Sequence, residues 1–90
     1  MSPPTRPALA RGTRLRWDTV RQRHFLLFPE GALALNASAA AVLELCNGKR
    51  SIDDIVHELD RRFPGAELAA DVDDLLDQVT ALGLVRDADA

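Results

Sequence analysis

The sequence predicts an α+β fold, a three-stranded antiparallel N-terminal sheet followed by a three-helix bundle, with the element order of a winged helix-turn-helix. Three observations carry this. Apolar and polar residues alternate at a period of two in much of 14–35, helical i, i+3, i+4 spacing takes over after Asn36, and the turn signal Phe28-Pro29-Glu30-Gly31 separates two of the strands.

The first strand covers Arg14 to Val20, with Leu15 and Trp17 on one face and Arg14, Arg16 and Asp18 on the other. Arg21-Gln22 turns the chain into the second strand, His24 to Phe28, although neither residue favours the positive φ of a tight hairpin. Pro29 presets φ at the next corner, and Gly31 is expected to take a positive φ that closes a three-residue loop through a bulge. Ala32-Leu33-Ala34-Leu35 then forms the third strand. Charge, proline or a bulge normally protects an exposed strand, and after Gly31 there is none, so this edge awaits either a cover or a partner.

Asn36 supplies an oxygen that caps a first helix over Ala37 to Cys46, with Ala39, Val42, Leu43, Leu45 and Cys46 inward and Asn47-Gly48 ending it. Ser51 with Asp54 reads as a capping box for the second helix, whose stripe is Ile52, Ile55, Val56, Leu59 and Phe63 and whose stop is Pro64-Gly65. A third helix from Asp71 to Leu82 carries Val72, Leu75, Leu76, Val79 and Leu82 on one face and Asp73, Asp74 and Asp77 on the other. Gly83 ends it, and Leu84-Val85-Arg86 either adds a short strand or packs back on the domain.

Ninety residues bound the chain to one small domain without a deep enclosed active site. Residues 1–13, with Pro3, Pro4 and Pro7, read as a flexible arm, 14–86 as the single domain, and 87–90 as an acidic tail. The arm lacks the apolar core of a signal peptide, and no apolar run approaches the roughly 20 residues that cross a bilayer. A lone cysteine, Cys46, cannot form an intramolecular disulfide, which points to the cytoplasm. Charge is unevenly spread: residues 1–30 hold six arginines against Asp18 and Glu30, while residues 31–90 are net −7. The sheet half is basic and suits an acidic partner, and the helical half is acidic.

Catalytic and metal chemistry find little footing. His24 and His57 lie far apart with no ligand or triad spacing, Cys46 falls on an apolar stripe, and Asp71, Asp73, Asp74 and Asp77 lack the glycine and terminal glutamate of a calcium loop. No cofactor or metal is expected. A winged-helix DNA-binding regulator remains the alternative, because the helices at Ser51 and Asp71 could form the turn pair. Against it, the third helix exposes aspartates that phosphates repel.

Leu15-Arg16-Trp17, Leu27-Phe28-Pro29-Glu30-Gly31, Leu35-Asn36, Ala39 to Leu45, Gly48-Lys49-Arg50, Ile55 and Arg62-Phe63-Pro64 together resemble the PqqD family, over about residues 11–85. Two positions depart from the family pattern: Phe28 stands where tyrosine is common, and Gly83-Leu84 where an aromatic often follows the last helix. The resemblance implies a non-catalytic peptide-recognition domain that binds the precursor peptide PqqA and presents it to the radical SAM enzyme PqqE in pyrroloquinoline quinone (PQQ) biosynthesis. It further implies that the peptide joins the third strand and packs against the third helix. On this chain that puts backbone partners at Ala32, Leu33, Ala34 and Leu35, and an apolar wall at Val72, Leu75, Leu76 and Val79. Strand addition of this kind needs an unblocked edge, which residues 32–35 offer. A monomer or a weak homodimer swapped through the N-terminal arm is expected.

Overall fold

A computed structural model describes residues 4–89. Eight elements follow in chain order: β1 (Pro7–Leu9), β2 (Arg14–Asp18), β3 (Arg23–Phe28), β4 (Gly31–Leu35), α1 (Ala37–Glu44), α2 (Ile52–Arg62), α3 (Ala69–Ala81) and β5 (Val85–Asp87). They make a mixed α+β architecture with three helices and two antiparallel sheets, β2-β3-β4 and the separate ladder β1-β5. The second sheet is a departure from the expected single one.

Residues 7–9 of the expected flexible arm form a strand, with Leu9 opposite Val85 and Pro7 opposite Asp87. Proline is tolerated at the first position of a strand. Here the Pro7 carbonyl accepts the Gly48 amide at 3.0 Å, and the Asp87 carboxylate accepts the amides of Thr5 (2.9 Å) and Arg6 (3.2 Å). These bonds hold the segment, and they hold residues 87–89 of the expected tail with it. The Asp89 amide also donates to the Asp87 carboxylate at 2.9 Å, and the three amides, Thr5 first and Asp89 next, keep this carboxyl below its ordinary range. Residues 1–3 and Ala90, the remainder of the expected arm and tail, lie outside the described residues.

The turn after β2 is built by Asp18, whose carboxylate accepts the amides of Val20 and Arg21 and the Arg21 guanidinium at 2.9–3.0 Å. Gln22 takes the left-handed conformation that returns the chain, at φ 56°. The next turn is tighter than expected. Phe28 stands opposite Gly31, so only Pro29 and Glu30 connect β3 to β4, and Gly31 is not among the positive-φ residues. Proline at the first corner favours a turn with negative φ, which removes the need for a bulge.

That two-residue connection determines what β4 offers. It is closed by a hydrogen-bonded pair, and such pairs alternate along an antiparallel ladder. Phe28/Gly31, Leu26/Leu33 and His24/Leu35 are therefore the bonded pairs. Gly31, Leu33 and Leu35 direct their backbone groups to β3, and Ala32 and Ala34 direct theirs away from the sheet.

Helix capping agrees with the residues that predicted it. Asn36 Oδ1 accepts the Ala39 amide at 2.8 Å, and Ser51 and Asp54 form a reciprocal capping box at 3.1 and 3.2 Å. Helix α3 begins earlier than expected, at Ala69, after Leu68, and has no side-chain cap. Helix α1 ends at Glu44, with Leu45 as its C-cap, two residues short of the expected Cys46. Gly48, beyond it, takes φ +79°, and a Cβ there would meet the Ala88 Cβ at 3.1 Å. Only glycine satisfies both constraints.

The core lies between the inner face of the larger sheet and the helices. Leu26 and Leu35 meet Leu43, Ile55, Leu59, Val72, Leu76 and Val79 there, all buried. Cys46 is part of this cluster, and burial pushes its thiol up to about 12. Three residues expected inside are displaced. Trp17 is 46% exposed, Phe63 36% and Leu82 58%, each at or just beyond the end of its element.

Candidate functional site

Strand β4 is the last strand of its sheet, with β3 on one side and no strand on the other among the described residues. The eight sequence-assigned residues separate into groups here. Ala32 and Ala34 are exposed and carry the outward backbone groups. Their small uncharged side chains leave the edge open to another backbone. Leu33 is half-buried and Leu35 buried, with side chains turned inward and backbone groups already directed to β3.

The α3 residues divide as well. Leu75 is half-buried and Val72 is buried, and both line a cleft of about 240 Å³ with Asn36, Ser38, Ala39, Val42, Leu68 and Asp71. This cleft opens at the end of β4, between the first turns of α1 and α3. Leu76 is 1% exposed and Val79 is fully buried, and neither reaches the cleft. They are core residues and not an open wall, because helical periodicity marks an inward stripe without marking which flank of it meets solvent.

Leu68 and Ala39 were not singled out for this cleft. Leu68 lies four residues before Val72 and seven before Leu75, a helical spacing, but a helix start set at Asp71 left it outside the pattern. Ala39 sits on the flank of α1, where its short side chain leaves room beside Leu75.

A second, larger depression of about 640 Å³ runs along the other flank of α1, lined among others by Trp17, Arg23, His24, Glu44, Arg62 and Phe63. Trp17 and His24 meet edge to face with centroids 4.9 Å apart, and Glu44 stands 3.9 Å from both His24 Nε2 and Arg62 Nη1. Arg62 also shares Glu58 with Arg61. Hydrogen bonds from Arg61 and then Arg62 hold the Glu58 carboxyl down at about 2. Nucleophile–base pairs are not formed by these groups, and no set of three or more His, Cys, Asp or Glu among the described residues could hold a metal. The arrangement at β4 and α3 can do something simpler, which is to pair with a backbone and bury its side chains.

The model of the family described as coenzyme PQQ synthesis protein D (PqqD) matches residues 23–85. The chain belongs to the PqqD family. A relative from Methylococcus capsulatus, named PqqA binding protein, is 34% identical over 97% of this chain and 94% of its own length. Another of the same name from Kluyvera intermedia is 47% identical, over 67% of this chain and 65% of its own. Among solved structures, the PqqD truncation of Methylobacterium extorquens PqqCD aligns with a TM-score of 0.69 and 35% identity, over 89% of this chain and 87% of that one. That PqqD is described as a functional, stand-alone recognition element for ribosomally synthesized and post-translationally modified peptides. The PqqD match includes β3, β4 and all three helices, and so the whole of the cleft and edge.

Proposed function

We propose that this protein binds the precursor peptide PqqA and presents it to the radical SAM enzyme PqqE in PQQ biosynthesis, acting as an adaptor without catalysis of its own. The observation that carries the reading is the free edge of β4, where Ala32 and Ala34 turn backbone donors and acceptors outward with no charge or proline to block them. Relatives that are themselves named PqqA binding proteins support the peptide's identity. An added antiparallel strand takes affinity from these main-chain groups and specificity from alternate side chains, one set of which falls toward Leu75 and the cleft beside it.

Partnership with PqqE, a monomeric or weakly dimeric working state and action in the cytoplasm complete the proposal. No helix among the described residues is long and apolar enough to cross a membrane. The DNA-binding alternative gains no support, since Asp71, Asp73, Asp74 and Asp77 all lie exposed on α3.

The test is an amide-shift titration of the labelled protein with PqqA. Shifts concentrated at Ala32, Ala34, Leu75 and Leu68 are expected. Absence of shifts refutes PqqA binding, and shifts confined elsewhere refute this site.

A further inference from the structure

The helices cover one face of the β2-β3-β4 sheet and leave the other bare. Antiparallel sheets normally present polar residues to water on such a face. Here the central strand presents Phe25 and Leu27, opposite Arg16 and Arg14 of β2 on one side and Ala34 and Ala32 of β4 on the other. Phe25 and Leu27 remain half-buried, and next to them Val20 is 89% exposed. Together with Arg16 and Arg21 they line a shallow depression of about 590 Å³. The Arg21 guanidinium carbon stands 6.0 Å from the Phe25 ring centroid.

Charge on this face is one-sided. Asp18 is its acid, and Arg21 already occupies that carboxylate. Arg14, Arg16 and Arg23 are in no ion pair among the described residues. An apolar centre rimmed by charge is a mark of interaction surfaces, and aromatic residues with arginine are enriched among those that dominate binding energy. The rim calls for carboxylates and the centre for apolar side chains.

We propose that this bare face is the docking surface for an acid-rimmed apolar patch on the modifying enzyme. The inference rests on the peptide-adaptor reading above and adds where the enzyme sits. It also gives loading a readout. Ala32 and Ala34 form the margin of the face, so a strand added to β4 lays its own alternate side chains beside them in the same plane. The enzyme then meets one continuous surface, part domain and part peptide, and the small alanines let it approach both. A second copy of this chain fits less well, because the apolar cleft beside its α3 acids is the one the peptide takes in the reading above, and at about 240 Å³ it is small against this face.

The decisive comparison is between wild type and the Arg14→Glu/Arg16→Glu double variant, each titrated separately with PqqA and with PqqE. Both side chains are exposed and touch neither the cleft nor the outward backbone of β4, so the variant is expected to melt like wild type and to bind PqqA within twofold. Affinity for PqqE should fall at least tenfold, and wild-type affinity for PqqE should weaken as salt is raised. Unchanged PqqE affinity in the variant overturns the proposal. So does an equal loss of PqqA affinity, which would assign the face to the peptide, or a wild-type dimer that the variant dissolves while PqqE binding persists. Failure of wild-type protein to bind PqqA is read in the other channel and refutes the adaptor function itself. As a second variant, Phe25→Ser should weaken PqqE binding at an unchanged rim charge, provided its circular dichroism matches wild type.

Discussion

Replacing Ala34 by proline separates the free edge from the rest of β4. The Ala34 amide points away from β3, so its removal takes no bond from the domain, and a proline whose missing donor faces solvent is the kind an edge strand tolerates. Leu33, the residue before it, is already in extended backbone, as a residue preceding proline prefers. Stability should therefore change by no more than about 1 kcal/mol. Peptide affinity should respond much more strongly. A net backbone hydrogen bond is worth about 1 kcal/mol, and the carbonyl it leaves unpaired in the interface costs about 1–2 kcal/mol more. The sum, about 2–3 kcal/mol, weakens binding roughly 30- to 150-fold. Leu33→Pro is the matched control: its amide bonds β3 and its side chain packs on the core, so it should lower the melting temperature sharply. Isothermal titration with PqqA, paired with a thermal melt of each variant, reads both quantities. A folded Ala34→Pro protein that binds PqqA within twofold of wild type would refute strand addition at this edge.

Three further outcomes test the packing around the site. Gly48→Ala forces a Cβ into a left-handed residue and within 3.1 Å of the Ala88 Cβ, and should cost about 1–2 kcal/mol in a denaturant melt. Asp87 has a folded-state pKa below its ordinary 3.8, so the stability it lends to the β1-β5 ladder is present above that value and is lost as pH falls through the lower, folded one. Faster exchange of the Thr5 and Arg6 amides on acidification below about pH 4, ahead of those in the core, would record it. Cys46, its thiol pushed up to about 12 by burial, should react slowly with a thiol reagent at pH 8 and rapidly once the chain is unfolded in urea.

Local signals made much of this fold legible. Asn36, Ser51 with Asp54, and Gly83 each act over a few residues of chain, and each does in the structure what its type implies. The free strand was legible for the same reason, as a run without charge or proline. What escaped were consequences of long-range contact. The β1-β5 ladder joins residues about eighty positions apart, and prolines at 3, 4 and 7 give no local hint of it. Val72, Leu75, Leu76 and Val79 share one helical stripe, yet only the neighbours supplied by α1 decide that Leu75 meets solvent at the cleft while Leu76 and Val79 are sealed. Likewise, strand alternation put Trp17 on the helix-facing side, where it lines the depression beside α1, but could not tell that 46% of it stays exposed.

The β1-β5 ladder has a consequence for engineering. Thr5 and Arg6 are held to Asp87, and Arg6 Nε lies 3.5 Å from the Asp89 carboxylate, so the start and finish of the described chain are neighbours. A few glycines could splice one to the other, while the exposed Pro64-Gly65 loop, where nothing lies within 4 Å of a Cβ built on Gly65, offers new ends. Such a circular permutant would keep β2 through α2 as one uninterrupted segment, bring α3 in from the opposite end of the gene, and leave the β4 edge untouched by any tag, tether or surface attachment.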